Sequence, residues 1–303
     1  MGNATLEAIQ AHILDTYNMD EHPEALFILG APRTGSTLLY QMIVSCFDLP
    51  FLSNMTNDML ADVPIVGVAL QKSMQTPISF HSKYGKTNHP QEPSEASAVM
   101  MQWFESGHPS QSVATDFKSE TEQHMQRTFA ASLRLFKAPL VIKNAWNCYR
   151  IQAITKVLPK AKFIWICRDI RASALSDLNA RQTTKHDLNI WNSATPSNYK
   201  YLLKRPVHEQ VVENQFEMNT AIKTGLKSHA KNGWVKLFYE DVISDPDAAL
   251  AQIAGLLQRS LVRDPHNITV SAPRTHLEVD AFGEQITSYV AEHEKRLAEY
   301  MFG

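Results

Sequence analysis

A chain of 303 residues that is 44% hydrophobic and 20% charged has the make-up of a globular protein, which excludes disordered and fibrous classes. Its net charge of −2 argues against a general nucleic-acid binder, although a local basic site fits within it. The 3 cysteines (Cys46, Cys148, Cys167) lie in apolar stretches without C-x-x-C spacing, and the 12 histidines form no H-E-x-x-H pattern. Reduced thiols, a cytoplasmic protein and no metal site are therefore predicted.

Residues 1–24 carry Asp15, Asp20, Glu21 and Glu24 and lack an apolar core, so they read as a helical extension and not a signal peptide. No apolar run approaches the ~20 residues of a membrane span. Ala25 to Leu29 is an apolar strand, and Leu38, Leu39, Met42 and Ile43 resume at helical spacing. Between them runs Gly30-Ala31-Pro32-Arg33-Thr34-Gly35-Ser36-Thr37. A helix N-terminus offers unpaired N–H groups and partial positive charge, which suits an anion. Gly35 lets the backbone approach that anion, Ser36 and Thr37 add donors, and Arg33 adds a fixed charge. The spacing nearly matches G-x-x-x-x-G-K-[ST], but Ser36 stands where the lysine belongs, which argues against a nucleotide triphosphatase. An ordinary βα turn is the alternative.

Leu49 to Leu52 reads as a short second strand. Residues 53–115 lose simple periodicity and form an insertion, read as a lid or substrate wall, with a peripheral helical cap as the alternative. It holds a helical patch at Val63 to Leu70, a polar run from His81 to His89, and a helix predicted from Ser94 to near Gly107 with Glu95 in its first turn. Residues 119–136 form a helix with the capping box Ser119-x-x-Glu122 and a stripe of Met125, Phe129, Leu133 and Phe136.

Pro139 to Ile142 and Lys162 to Cys167 are buried parallel strands by their apolar runs, joined by a short helix marked by Ile151, Ile154 and Leu158. Lys143, Arg150, Arg168, Arg171 and Arg181 make this region basic and suggest a polyanionic ligand, while Lys156, Lys160 and Lys162 read as a solvated face. Arg168 ends a strand, where ligands of open α/β sheets bind, and Ser176 follows two helical turns later. Val235 to Phe238 is the last strand, followed by a helix with Asp245 as N-cap and Pro246 at its first position. Val212, Phe216, Ile222 and Leu226 line one late helix and Ile286, Val290 and Leu297 another. The polar loop Ser271 to His276, with Arg274, closes over a ligand or lies free on the surface. The predicted fold class is α/β: a central parallel sheet flanked by helices, in one domain spanning 1–303.

Pro32-Arg33-x-Gly35-Ser36-Thr37-Leu38-Leu39 resembles the 5′-phosphosulfate loop of sulfotransferases that use 3′-phosphoadenosine 5′-phosphosulfate (PAPS). Arg168-Asp-x-Arg-Ala-Ser-x-x-Ser176 is similar to the family's 3′-phosphate segment, especially in its tyrosylprotein and bacterial branches. Tyr239-Glu-Asp followed by Asp245-Pro246 resembles the signature after its last core strand. The resemblance implies a sheet like that of P-loop kinases and transfer of a sulfuryl group from PAPS, leaving PAP, to a hydroxyl or amine of a small-molecule, carbohydrate or lipid acceptor. Peptide acceptors also remain open. It implies that Arg33, Thr34, Gly35, Ser36 and Thr37 hold the 5′-phosphosulfate with Lys143 as second cation, that Arg168 and Ser176 hold the 3′-phosphate, and that Tyr239 lies beside the adenine. Arg274 would close over the nucleotide, and no metal would be required.

Two departures concern the catalytic base. Asn144 and Ala145 follow Lys143 where the cytosolic branch has a histidine, and Ser53 and Asn54 stand where the tyrosylprotein branch has a glutamate. Glu95 and His81 in the insertion are the remaining candidates. A non-catalytic PAP-binding module and a nucleotide-dependent kinase of similar fold are the alternatives.

Overall fold

The computed structural model describes residues 2–17, 22–74, 76–104, 119–264 and 280–302. Among the described residues, four parallel strands, β1 (Ala25–Leu29), β2 (Leu140–Lys143), β3 (Ala161–Cys167) and β4 (Trp234–Phe238), form one sheet in the order β2-β1-β3-β4. Ala25 stands opposite Leu140 on one side and Ala161 on the other, and Phe163 stands opposite Trp234.

Alternation along the strands divides the core into two layers. Phe27, Leu29, Phe163 and Trp165 face one apolar layer, whereas Leu26, Ile28, Ile164 and Ile166 face the other. Both faces are covered, which is why the strands read as continuous apolar runs. The chain starts in α1 (Gly2–Thr16), and β1 passes through the phosphate-loop candidate into α2 (Ser36–Cys46). The insertion carries α3 (Asn54–Met59), α4 (Pro64–Met74) and α5 (Ser97–Trp103), before α6 (Ser119–Phe136) returns the chain to β2. A 3₁₀ turn (Ala145–Tyr149) and α7 (Ile151–Val157) connect β2 to β3. From β3 the chain continues into α8 (Ile170–Lys185), α9 (Tyr199–Leu202) and the long α10 (Val207–His229). After β4 come α11 (Tyr239–Ser244), α12 (Pro246–Leu257), α13 (Asp280–Glu292) and α14 (Glu294–Leu297).

The second strand expected at Leu49–Leu52 is reduced to one parallel bridge, Phe51 to Val141. Pro50 accepts at its carbonyl from Val141 N–H (3.0 Å) but has no N–H of its own to extend the ladder. The helix expected from Ser94 begins later, at Ser97, because Ala96 at its N-cap is left-handed (φ 48°). Asn144 Nδ2 donates to Glu95 O (2.9 Å) there, so a tertiary contact sets the boundary. Glu95 therefore precedes the helix and does not lie in its first turn.

The α12 start agrees with expectation: Asp245 accepts from Ala248 N–H, and Pro246 opens the helix. The three cysteines are free and buried. No helix among the described residues is long and apolar enough to cross a membrane. Residues 271–276, Arg274 included, and the Gly107 helix end lie outside the described residues.

Candidate functional site

The carboxyl ends of β1, β2, β3 and β4 point to one edge of the sheet, where the chain leaves β1 and returns on either side of it. Such a switch point leaves a crevice for a ligand. After β1, the loop is held from within by Thr34 Oγ1, which donates to Ala31 O (2.8 Å), and from α10 by Gln215 Nε2, which donates to Pro32 O (2.7 Å). Arg33 sits at φ 71°, a left-handed conformation uncommon outside glycine. Gly35 caps α2 at φ 84° with no side-chain cap hydrogen bond to the first-turn amides. A Cβ on Gly35 would lie 2.2 Å from Tyr239 Cδ2, so only glycine admits the tyrosine ring against the loop. The first-turn amides of α2, without a side-chain cap, lie beside Ser36 and Thr37, an arrangement that can take an anion.

Two guanidinium groups converge on this loop. Arg33 Nε donates to Ser176 Oγ of α8 (3.1 Å), and Arg168 Nη1 donates to Arg33 O (3.3 Å). Arg168 also lies over the Tyr239 ring, 4.7 Å from its centroid. Burial pushes Arg33 below its ordinary value; Asp177 opposes this and Arg168 adds to it. Arg168 has no acidic partner among the described residues, and its buried Nε has no hydrogen-bond partner. Arg171 instead pairs with Asp169 (2.6 Å), and the fully buried Arg181 pairs with Asp177 (3.1 Å). Lys156 is tied to Glu122, and Lys162 pairs with Glu24 at 3.6 Å. Burial pushes Arg150 down to about 10, and its guanidinium stacks on Phe104 at 4.4 Å. Arg171, Arg181, Lys156 and Lys162 are thus taken up in structural ion pairs and Arg150 in a ring stack, whereas Arg168 bonds the loop carbonyl.

Lys143 ends β2 with its side chain 7% exposed, donating from Nζ to Thr37 Oγ1 (3.3 Å) and ion-pairing with Glu95. The structure therefore brings Glu95 to the loop through Lys143. His81 is placed otherwise: it is exposed, and its Nδ1 meets Ser79 O of its own turn (2.7 Å). Just before it, Ile78 and the left-handed Phe80 (φ 57°) pack partly buried against the core, and His81 stands outside.

The polar run from His81 to His89 turns at Tyr84-Gly85. Lys83 and Lys86 exchange backbone hydrogen bonds (2.8 and 3.1 Å) around Tyr84 (φ 50°) and Gly85 (φ 84°), the signature of a type I′ hairpin. The Tyr-Gly pair was the available signal, but no alternating strands flank it. Among the described residues no cluster of His, Cys, Asp or Glu could hold a metal ion.

The donor set could hold a nucleotide with two separate anionic groups: two guanidinium groups, one ammonium, three hydroxyls and uncapped helix-start amides, with the unsatisfied Arg168 Nε among them. The sequence profile of the sulfotransferase family matches residues 23–264. No curated protein sequence matches the chain. Among solved structures, sulfotransferase STF9 from Mycobacterium avium aligns at TM-score 0.52 and 15% identity, over 95% of this chain and 72% of that one. Sulfotransferase STF1 from Mycobacterium tuberculosis H37Rv aligns at 0.50 and 14%, over 94% and 81%. At these identities the likeness is one of fold.

Proposed function

The chain belongs to the sulfotransferase family, and from that premise we propose that it transfers a sulfuryl group from PAPS to a hydroxyl or amine of a small-molecule, carbohydrate or lipid acceptor. The observation that carries this reading is the meeting of three separated motifs at one point: Arg33 bonds Ser176, Arg168 bonds the Arg33 carbonyl, and Tyr239 packs on Gly35.

PAPS, when bound, supplies the sulfuryl group and a phosphate leaving group. In this reading the α2 amides, Ser36, Thr37 and Arg33 hold its 5′ end, while Arg168 and Ser176 hold the 3′-phosphate. Tyr239, already stacked on Arg168, offers its ring to the adenine. Lys143 sits in a dry position beside Thr37, where a fixed positive charge stabilises developing negative charge on the leaving oxygen. Glu95, partly exposed next to Lys143, takes the acceptor's proton. The described part of the insertion that carries Glu95 forms the acceptor side. These side chains supply the positive charge, so the proposed reaction needs no metal. The buried free cysteines support a cytoplasmic location.

Incubation with labelled PAPS and a panel of sugar, lipid, small-molecule and peptide acceptors tests the reading. Label should appear on one class and be lost in Arg33→Ala. Binding of PAP without transfer to any class would instead favour the non-catalytic module.

A further inference from the structure

The Lys83–Lys86 hairpin lies on the phosphate loop. Gly85 O accepts from Thr37 Oγ1 (3.2 Å), the same hydroxyl that Lys143 Nζ reaches (3.3 Å). A Cβ on Gly85 would stand 3.7 Å from Arg33 Nη1, so the hairpin backbone is against the guanidinium. The Tyr84 ring covers Arg33 with its centroid 5.2 Å from Cζ, and its hydroxyl donates to Thr183 Oγ1 on α8 (2.9 Å). The tip thus bridges from the start of α2, over Arg33, to the helix that carries Ser176.

The base of this segment is anchored separately. The buried Glu92 carboxylate accepts from Ser79 N–H (2.6 Å) and from Gln41 Nε2 of α2 (3.0 Å), closing the neck of the loop. Asn54 Nδ2 holds Thr87 and His89 on the return side. The tip itself is held by two hydrogen bonds, to Thr37 and Thr183, and by the Tyr84–Arg33 stack. A short polar tip on a fixed neck can lift without disturbing the core.

We propose that the Lys83–Lys86 hairpin is a latch on the donor site, which must lift before the 5′-phosphosulfate of the donor can bind. The inference rests on the donor assignment above. A carbonyl oxygen and an anionic donor oxygen compete for the single Thr37 hydroxyl proton, and both cannot occupy the space beside it. The Tyr84–Thr183 hydrogen bond holds the latch shut, so removing either partner shifts the latch toward its open form.

The test uses the full chain and two variants, Tyr84→Phe and Thr183→Val, each removing one end of that bond from an accessible position. In the ligand-free protein, tryptic cleavage after Lys83 and Lys86, mapped by mass spectrometry, reports the open population. Cleavage should rise about two- to tenfold in either variant, with the double variant no faster than the singles. Stopped-flow binding should show PAP associating faster and more tightly by a similar factor. Unchanged cleavage in both variants, or weaker PAP binding, would overturn the latch. If PAP fails to bind the wild-type protein, the donor assignment falls, while the ligand-free cleavage still judges whether Tyr84 and Thr183 hold the hairpin down.

Discussion

Arg33 Nε donates to Ser176 Oγ at 3.1 Å, tying the loop after β1 to the second turn of α8 across 143 positions of sequence. In the proposed reading the two residues hold different phosphates of the donor, so the contact would set the separation of the two anionic ends that the donor must span. A hydrogen bond from a charged donor contributes about 1.5–3 kcal/mol. Ser176→Ala should therefore weaken PAP by about tenfold or more in calorimetry, and Ser176→Thr, which keeps the hydroxyl, should restore most of it. Equal affinity in all three proteins would make the contact incidental.

The proposed 3′-phosphate contact of Arg168 predicts that it discriminates between nucleotides. It lacks an acidic partner among the described residues, and its buried Nε has no hydrogen bond. Arg168→Ala should erase the preference for PAP over AMP, a loss of roughly ten- to a hundredfold in affinity, with the fold retained. A mutant that still prefers PAP by the wild-type margin would return Arg168 to a structural role beside Tyr239.

The base assignment separates two side chains by position. Glu95 pairs with Lys143 next to the phosphate loop, whereas His81 is exposed and satisfied by its own turn. With an acceptor in hand, Glu95→Gln should lower kcat by roughly 10²–10⁴ and leave PAP affinity unchanged. His81→Ala should keep kcat within a few-fold. The reverse pattern would assign the base to His81, and two active mutants would place it elsewhere.

Acid sensitivity follows from two carboxylates. Burial raises Asp169, but hydrogen bonds from the Arg171 side chain and from the Phe302 and Ala172 N–H groups outweigh it and hold the carboxyl below its ordinary value. Burial likewise raises Glu213, and hydrogen bonds from Arg296 and Tyr289 again prevail. For groups depressed in the folded state, the unfolded chain binds more protons as pH falls, so their stabilisation is present above the unfolded values of about 4 and lost below them. Tm should hold steady from neutral pH to about 5 and fall below about 4. Asp169→Asn, which can still cap α8, should show a shallower acid decline in differential scanning calorimetry. Parallel declines in wild type and mutant would remove Asp169 from this account.

The sheet, the turn from β1 into α2 and the strand-end position of Arg168 before α8 were legible because each is local. An apolar run, a glycine at a helix start and a strand-end arginine all lie within a few residues of what they control. The insertion was not legible in the same way. Glu95 looks like a first-turn residue from Pro93-Ser94-Glu95, yet Lys143 and Asn144 hold it outside the helix. His81 follows the partly buried Ile78 and Phe80 yet stands exposed, bonded to its own turn. Tyr84 and Gly85 acquire meaning only from Thr37 and Thr183, which stand 48 and 99 positions away from their respective partners.

The central claim is that the loop from Gly30 to Thr37 and the Arg168–Ser176 segment together recognise a 3′,5′-bisphosphorylated adenosine. Thermal unfolding in the presence of PAP, and separately of ATP with Mg²⁺, tests it most directly. Ligand at about a hundredfold over its Kd stabilises a protein by about 2.7 kcal/mol. PAP should raise Tm by the corresponding amount at micromolar concentrations while ATP–Mg²⁺ at the same concentrations shifts it little. A shift with ATP–Mg²⁺ equal to or larger than that with PAP would contradict the donor assignment and favour a nucleotide-dependent kinase on the same sheet.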